Sequence, residues 1–151
     1  MKEIIRMLDK NLKYEGYKIK DDEIHIQVKS KKKTLNCPEC GEKTKKIHSR
    51  YIRRVQDLPI GDKKVYIKIA SRKMSCRNAK CLRKTFAESY GFVDANGVKT
   101  RRLEAEIVSI GMNMSSQAAA ELLNSSTAKI CGRTVRNLIK KTEQSKSPER
   151  V

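Results

Sequence analysis

The chain has 151 residues, of which 38% are apolar and 34% are charged, and its net charge is +18. This composition supports a modest hydrophobic core and excludes a wholly disordered chain. An excess of 35 Lys and Arg over 17 Asp and Glu attracts polyanions, and nucleic acid is the commonest of these, with a basic ribosomal or membrane-surface protein as the alternative.

The first residues contain neither a signal peptide nor a membrane span, because their apolar run is too short. We therefore expect a cytoplasmic, nucleoid-associated protein. In a reducing compartment the five cysteines favour metal binding over a disulfide framework.

Residues 1–36 are predicted to form a short amphipathic helix followed by a β-hairpin. Over residues 2–12, Ile4, Ile5, Leu8 and Leu12 recur at helical spacing. After them, apolar and polar side chains alternate on both sides of Asp21-Asp22, which predicts two strands joined by a turn.

Residues 37–88 are predicted to form a zinc-binding β module. Within it, residues 45–74 form a second hairpin whose turn is expected at Leu58-Pro59-Ile60-Gly61. Apolar and basic residues alternate along its second strand, so one face can pack while the other stays basic. The module carries 15 basic and 5 acidic side chains, a net charge of +10.

The period of the pattern changes after the β module. Residues 89–99 are predicted to be a linker, residues 100–143 a helix-turn-helix unit of three helices, and residues 144–151 a disordered tail. The predicted fold class is therefore α+β, with a small zinc-ribbon-like β-hairpin module followed by a three-helix module. Nine side chains are expected to face the helical core: Leu103, Ile107, Ile110, Ala119, Leu122, Leu123, Val135, Leu138 and Ile139.

Two cysteine pairs frame the second hairpin. Cys37 and Cys40 form a C-x2-C, and Cys76 and Cys81 form a C-x4-C. Four thiolates in two close pairs suit structural, tetrahedral Zn²⁺, whose removal should unfold residues 37–88. The alternatives are four free buried thiols, a redox dithiol, or replacement of one cysteine ligand by a histidine such as His48. Cys131 stands apart and is expected to be structural rather than a ligand.

The third helix of the helical unit is predicted to have a basic outer face. Arg can read guanine, Asn can read adenine and Lys can hold phosphates, which is what a DNA recognition helix requires. An ordinary solvated helix face is the alternative, and the connection over residues 124–130 is longer than that of a minimal helix-turn-helix. The candidate DNA contacts are Arg133, Arg136, Asn137, Lys140 and Lys141, with Arg53, Arg54, Lys64 and Lys68 of the β module adding sequence-independent attraction.

The chain resembles the ISL-three family of bacterial insertion-sequence transposases. The resemblance runs from about residue 15 to residue 141 and rests on "CPECG", on "QDLPIG" between the cysteine pairs, and on "TFAE", "TRRL" and "GRTVRNLIKK". It implies that Cys37, Cys40, Cys76 and Cys81 are the zinc ligands, that residues 101–141 form a helix-turn-helix, and that double-stranded DNA at transposon ends is the partner.

The same resemblance implies a catalytic domain of the RNase H-like type, for which residues 142–151 leave no room. The three aspartates Asp57, Asp62 and Asp94 are not credible substitutes for catalytic carboxylates, because they lie in predicted turn or linker segments. We therefore expect a zinc-containing DNA-binding protein that is not an enzyme and has no membrane partner. The protein could also form a homodimer. The alternative function is a zinc-ribbon module that docks on RNA, a ribonucleoprotein or another protein.

Overall fold

A computed structural model describes residues 1–126, 128 and 130–146 of the protein, with only the backbone of residues 126 and 146. Seven strands and four helices occupy these residues. In chain order they are α1 (Lys2–Leu8), β1 (Leu12–Lys20), β2 (Glu23–Ser30), β3 (Leu35–Asn36), β4 (Lys43–Thr44), β5 (Ile47–Ile60), β6 (Lys63–Ser75), β7 (Thr85–Ala87), α2 (Arg101–Gly111), α3 (Ser116–Ser126) and α4 (Gly132–Lys146). The fold is α+β, as the sequence predicts.

Both predicted hairpins are confirmed, and they join into one sheet. Strands β1 and β2 are antiparallel, as are β5 and β6. Strand β2 pairs with β6 in parallel, which gives the order β1-β2-β6-β5, with β7 pairing the end of β6. The first hairpin is thus continuous with the β module rather than a separate N-terminal piece.

The turn of the second hairpin differs from the prediction. Strand β5 continues through Leu58 to Ile60, and the two-residue turn is Gly61-Asp62. Gly61 has a φ of 61°, a left-handed conformation that glycine adopts without steric cost. The pairing register shifts between Asp57 and Ile60, so this part of β5 leaves the regular ladder.

One face of the sheet is the core face. Val65, Ile67 and Ile69 alternate along β6 and are at most 1% exposed. Helix α1 covers this face through Ile5, and residues 90–93 cover the rest. The segment 89–99 is therefore not a free linker, because its aromatic and branched side chains are part of the hydrophobic core.

Helices α2, α3 and α4 pack around a second core. Leu103, Ile107, Leu123 and Val135 are fully buried there. Leu122 was expected to face inward and is instead 48% exposed, since it lies one residue off the buried stripe. Helix α4 extends through residue 146, beyond the predicted end at residue 143, while residues 147–151 lie outside the described residues. In the described part of the chain no helix is both long and apolar enough to cross a membrane.

A buried carboxylate joins the sheet to the helices. Asp57 in β5 is 3% exposed and accepts a hydrogen bond from the Thr100 hydroxyl at 2.8 Å. Thr100 is also the N-cap of α2, accepting from the Leu103 N–H at 3.3 Å. The Arg102 guanidinium donates to both oxygens of Asp57, with Nε at 2.7 Å from Oδ1. The "QDLPIG" and "TRRL" segments therefore meet at one polar contact.

Substitution of Asp57 by Asn should loosen this junction. The neutral side chain cannot pair with Arg102, and a hydrogen bond to a charged group is worth about 1.5–3 kcal/mol. Because Arg102 is 38% exposed, we expect the lower part of that range, about 1.5–2 kcal/mol of unfolding free energy. Urea denaturation of the zinc-loaded protein measures it, with Asp62→Asn in the exposed hairpin turn as control. Equal stability of both variants would contradict the role of Asp57.

Candidate metal centre and nucleic-acid interface

Four cysteine sulfurs meet at the open end of the β5–β6 hairpin. Cys37 and Cys40 lie between β3 and β4, Cys76 follows β6 directly, and Cys81 precedes β7. Their Sγ atoms all lie within 4.8 Å of one another. The structure therefore brings together all four cysteines that the sequence spacing selected.

Tight turns aim the sulfurs of the first pair. Gly41 has a φ of 75°, and its N–H donates to the Cys37 carbonyl at 2.8 Å. The Cys37 N–H in turn donates to the Glu42 carbonyl at 2.9 Å, closing the loop. The short pairing of β3 with β4 holds both ends of this turn.

The second pair is held in a similar way. The Cys76 N–H donates to the Lys84 carbonyl at 2.9 Å, and the Cys81 N–H donates to the Asn78 carbonyl at 3.1 Å. Each pair thus lies in a loop closed by backbone hydrogen bonds, which fix the separation of its two sulfurs in the folded protein.

The spacing of the sulfurs fits a tetrahedral zinc ion. Cys37 and Cys81 are 3.9 Å apart at Sγ, and Cys40 and Cys76 are 3.6 Å apart. Tetrahedral zinc with Zn–S bonds near 2.3 Å requires sulfur pairs at about 3.8 Å, whereas a disulfide requires about 2.05 Å. The donor set therefore suits a metal and not a cross-link.

The residues around the four cysteines are those of a structural metal site rather than a catalytic one. Cys37 and Cys81 are buried with Met74 and Phe86, while Cys40 is exposed. Among the described residues no histidine or carboxylate joins the four thiols, and His48 lies exposed in β5. All four positions of a tetrahedron are taken by sulfur, which leaves no open position for a reacting water.

The thiols differ in acidity because they share one site. The backbone N–H groups of Cys40 and Glu39 lower the pKa of Cys37 to about 7, against the effect of burial. At Cys76 the backbone N–H of Asn78 also acts to lower the pKa, but burial and the neighbouring thiols raise it to about 12. Without a cation these sulfurs cannot all be thiolates, since a second negative charge beside the first is unfavourable.

All five predicted DNA-contacting residues of α4 are exposed, and four of them lie on its outer face. Arg133, Arg136, Asn137 and Lys140 are exposed, while Val135 between them is buried. Lys141 is placed differently: its ammonium pairs with Asp94 and with Glu104, the latter at 3.3 Å. The hydrogen bond to Asp94 raises the pKa of Lys141, so this lysine is engaged in holding α4 against α2 and the 94–97 turn.

The connection between α3 and α4 is held by one side chain that sequence reasoning missed. The Asn124 amide donates to the carbonyls of Ala120 and Ile130, and its oxygen accepts from the Ile130 N–H at 2.9 Å. Ala128 in the same connection is fully buried. The length of this connection therefore does not leave α4 loosely attached. The sequence did contain a signal for this contact, because an Asn at a predicted helix end often binds the backbone of the following turn.

The four predicted basic residues of the β module lie on two different faces. Arg54, Lys64 and Lys68 share the face opposite the core. Arg53 points the other way and donates to the carbonyls of Asp94 at 2.6 Å and Gly97 at 2.9 Å. Arg53 therefore braces the loop before α2 rather than adding to the basic face.

The comparisons with known proteins agree with the metal centre. Residues 33–81 match the family model described as the zinc-finger of transposase IS204/IS1001/IS1096/IS1165. The chain is 32% identical over 53 residues to the transposase for insertion sequence element IS1001 of Bordetella parapertussis, an alignment that covers 35% of the chain and 13% of that transposase. No solved structure matches the chain.

The matched residues 33–81 contain all four clustered cysteines and the whole β5 strand. The match and the four-thiol cluster together make structural zinc the cofactor of this region. Residues 33–81 are therefore similar to the zinc finger of insertion-sequence transposases, and the alignment spans 13% of the length of the transposase that the chain matches.

Proposed function

We propose that this region binds duplex DNA, with α4 reading base edges and the zinc finger supporting the fold. The observation that carries the proposal is the exposed face of α4, where Arg133, Arg136, Asn137 and Lys140 stand opposite a buried Val135. A rigid helix with Arg and Asn near its start presents the bidentate donors and acceptors that major-groove readout uses.

The packing of α3 and α4 supports a helix-turn-helix. A Cβ added at Gly132, the first residue of α4, would lie 3.3 Å from the Gln117 side chain, so the two helix starts nearly touch. A Cβ at Gly111 would lie 2.7 Å from the Val135 side chain, so α2 also approaches α4 closely. In such a unit α3 positions α4 from behind and leaves its outer face free for a groove.

The four clustered thiolates are the proposed ligands of the zinc ion. Cys37, Cys40, Cys76 and Cys81 match the ion in number, spacing and softness. When bound, zinc supplies binding energy that becomes folding energy, because Cys40 and Cys76 are 36 positions apart in sequence and the two pairs do not form a site in the unfolded chain.

The ends of an insertion sequence are the proposed target, because the matched relative is a transposase for such an element. DNA binding would place the protein on the nucleoid, and a homodimer would present two copies of α4 to two half-sites. The rival, a module that docks on RNA, is weakened by the small aromatic content of 5 Tyr, 2 Phe and no Trp.

Loss of zinc should unfold the metal end of the molecule. Cys37→Ser or Cys81→Ser removes one ligand of a site whose binding energy is roughly 10–16 kcal/mol in small fingers. The sequence predicts that zinc loss unfolds residues 37–88. We now expect only the two cysteine loops and β7 to unfold, because the core of β2, β5 and β6 is a separate hydrophobic cluster. Metal analysis and hydrogen exchange of each variant measure this, and a full equivalent of zinc in either variant would contradict the ligand assignment.

Substitution of Cys131 should leave the zinc content unchanged. Cys131 precedes α4, where its sulfur lies 3.3 Å from the Thr134 hydroxyl, and it is exposed. Serine is a better N-cap than cysteine, so Cys131→Ser should change the unfolding free energy by less than about 1 kcal/mol. Metal analysis and thermal denaturation check this, and zinc loss in this variant would overturn the proposed ligand set.

Base readers and phosphate holders on α4 should behave differently. Arg133→Ala and Asn137→Ala should each cost about 1–3 kcal/mol on the preferred duplex and less on a random one. Lys140→Ala, nearer the helix end, should weaken all duplexes equally and reduce the salt slope by about one. Titrations on insertion-sequence-end and random duplexes at two salt concentrations separate the cases.

The matched control is Glu143→Ala, one turn beyond Lys140 on α4. This change removes a negative charge and so cannot imitate the loss of a phosphate contact. If Arg133→Ala and Asn137→Ala both keep the full preference for the end duplex, α4 does not read DNA.

A further inference from the structure

The face of the sheet opposite the core forms a basic surface that runs across all four long strands. Pairing registers place its members directly beside one another, since residues opposite each other share a face. We call it the outer sheet face. Its cations include Lys13, Lys18, Lys20, Lys29, Arg54, Lys64 and Lys68, and the acids Glu23 and Glu15 lie among them.

Several of these cations have no acid to neutralise them. Lys18, Lys20 and Lys68 make no salt bridge with any residue that the structure describes, whereas Lys29 pairs with Glu15 at 2.5 Å. Helix α1 and residues 90–93 lie on the other face of the sheet, where they cover the core. Among the described residues, the helix and the segment that cover the core both lie on the other side, so the outer sheet face is a charged surface.

The tyrosine ring at the centre of this face is already stacked. Tyr66 in β6 lies against the His25 ring of β2, with centroids 5.4 Å apart and planes 17° apart. From β5, on the other side of β6, the Arg54 guanidinium lies 3.9 Å from the Tyr66 ring centroid. Proteins that bind single strands need exposed rings on which bases stack, and Tyr66 has neighbours on both sides. The groups of this face that can still contact a ligand are ammonium and guanidinium groups, and these bind phosphates.

The outer sheet face continues to the beginning of α4. The Lys64 ammonium reaches the Asn124 carbonyl at 3.5 Å, at the end of α3. Asn124 is the residue that holds Ile130, two positions before α4 begins. The Lys64 end of the outer sheet face therefore lies beside the connection that leads into the proposed recognition helix.

We propose that the outer sheet face holds the phosphate backbone of the same duplex that α4 reads, a proposal that rests on the DNA-binding function proposed above. We propose a duplex rather than a single strand because the Tyr66 ring, on which a base could stack, already lies against His25 and Arg54. The contact is independent of base sequence and supplies affinity and orientation, while α4 supplies selection.

The test compares two triple variants that remove the same charge. Lys18→Gln, Lys20→Gln and Lys68→Gln together remove three cations of the outer sheet face. Lys2→Gln, Arg6→Gln and Lys10→Gln remove three exposed cations on and beside α1, on the core side of the sheet. Both are titrated with a random duplex of about 30 base pairs, near three helical turns, over a range of salt concentrations. Zinc content and circular dichroism verify that each variant is folded.

The sheet variant should bind at least about tenfold more weakly near 100 mM salt, and its salt slope should fall by about 2 to 3. The α1 variant should change the slope by less than about one. Equal losses in the two variants would overturn the proposal, and so would tighter binding of a single strand than of the duplex.

The two proposals fail in different ways. If the sheet variant binds like the wild type while Arg133→Ala and Asn137→Ala lose preference, the outer sheet face is not a DNA contact and the function of α4 stands. If the wild-type protein binds no duplex at all, both proposals are wrong.

Discussion

The pairing of β5 with β6 fixes the metal centre and the helical unit at opposite ends of one hairpin. Its open end, where Ile47 faces Met74, brings the two cysteine pairs together. Near its turn, Asp57 and Leu58 contact the helices. The 13 residues of β6 span about 40 Å at a rise of ~3.3 Å per residue, so the zinc ion and the helical core do not touch. The metal centre and the helices are therefore joined through the hairpin and through the segment from β7 to α2.

Two buried carboxylates then hold the segment between sheet and helices. Glu88 is 4% exposed and pairs with Arg72 of β6 at 3.0 Å, while Asp57 binds Thr100 and Arg102 at the other end of the segment. Removing one partner of a buried pair leaves a charge without compensation, which costs far more than losing an exposed pair. The exposed pairs of Asp94 with Arg101 and Lys141 add orientation more than stability. Besides the hydrophobic core, the placement of α2 thus depends on few polar contacts, whose carboxylates Glu88 and Asp57 are buried.

Local periodicity explains what the sequence could predict. Alternation on either side of Asp21-Asp22, the apolar stripe of α2 and the two cysteine spacings are all short-range patterns, and the structure confirms the hairpin, the helix and the thiol cluster. The parallel pairing of β2 with β6 joins residues about 40 positions apart, and no local pattern encodes it. Residues 89–99 resemble a linker in composition, yet Tyr90 and Phe92 find partners only in the folded sheet. The opposite directions of Arg53 and Arg54 were predictable, because neighbouring residues in a strand face opposite sides.

The same geometry decides how affinity and selection divide between the two parts. A basic sheet joined flexibly to a helix would hold DNA at a high local concentration but in many orientations, which adds affinity without fixing a register. Here the Asp57 contact, the Lys64–Asn124 contact and the Asn124 hydrogen bonds tie the sheet to the beginning of α4. Under the proposed function, phosphates held by the outer sheet face would fix where α4 enters the groove, so a contact that reads no bases would still limit which bases α4 can reach. The zinc ion, by closing the far end of the hairpin, keeps rigid the strand on which this arrangement is built.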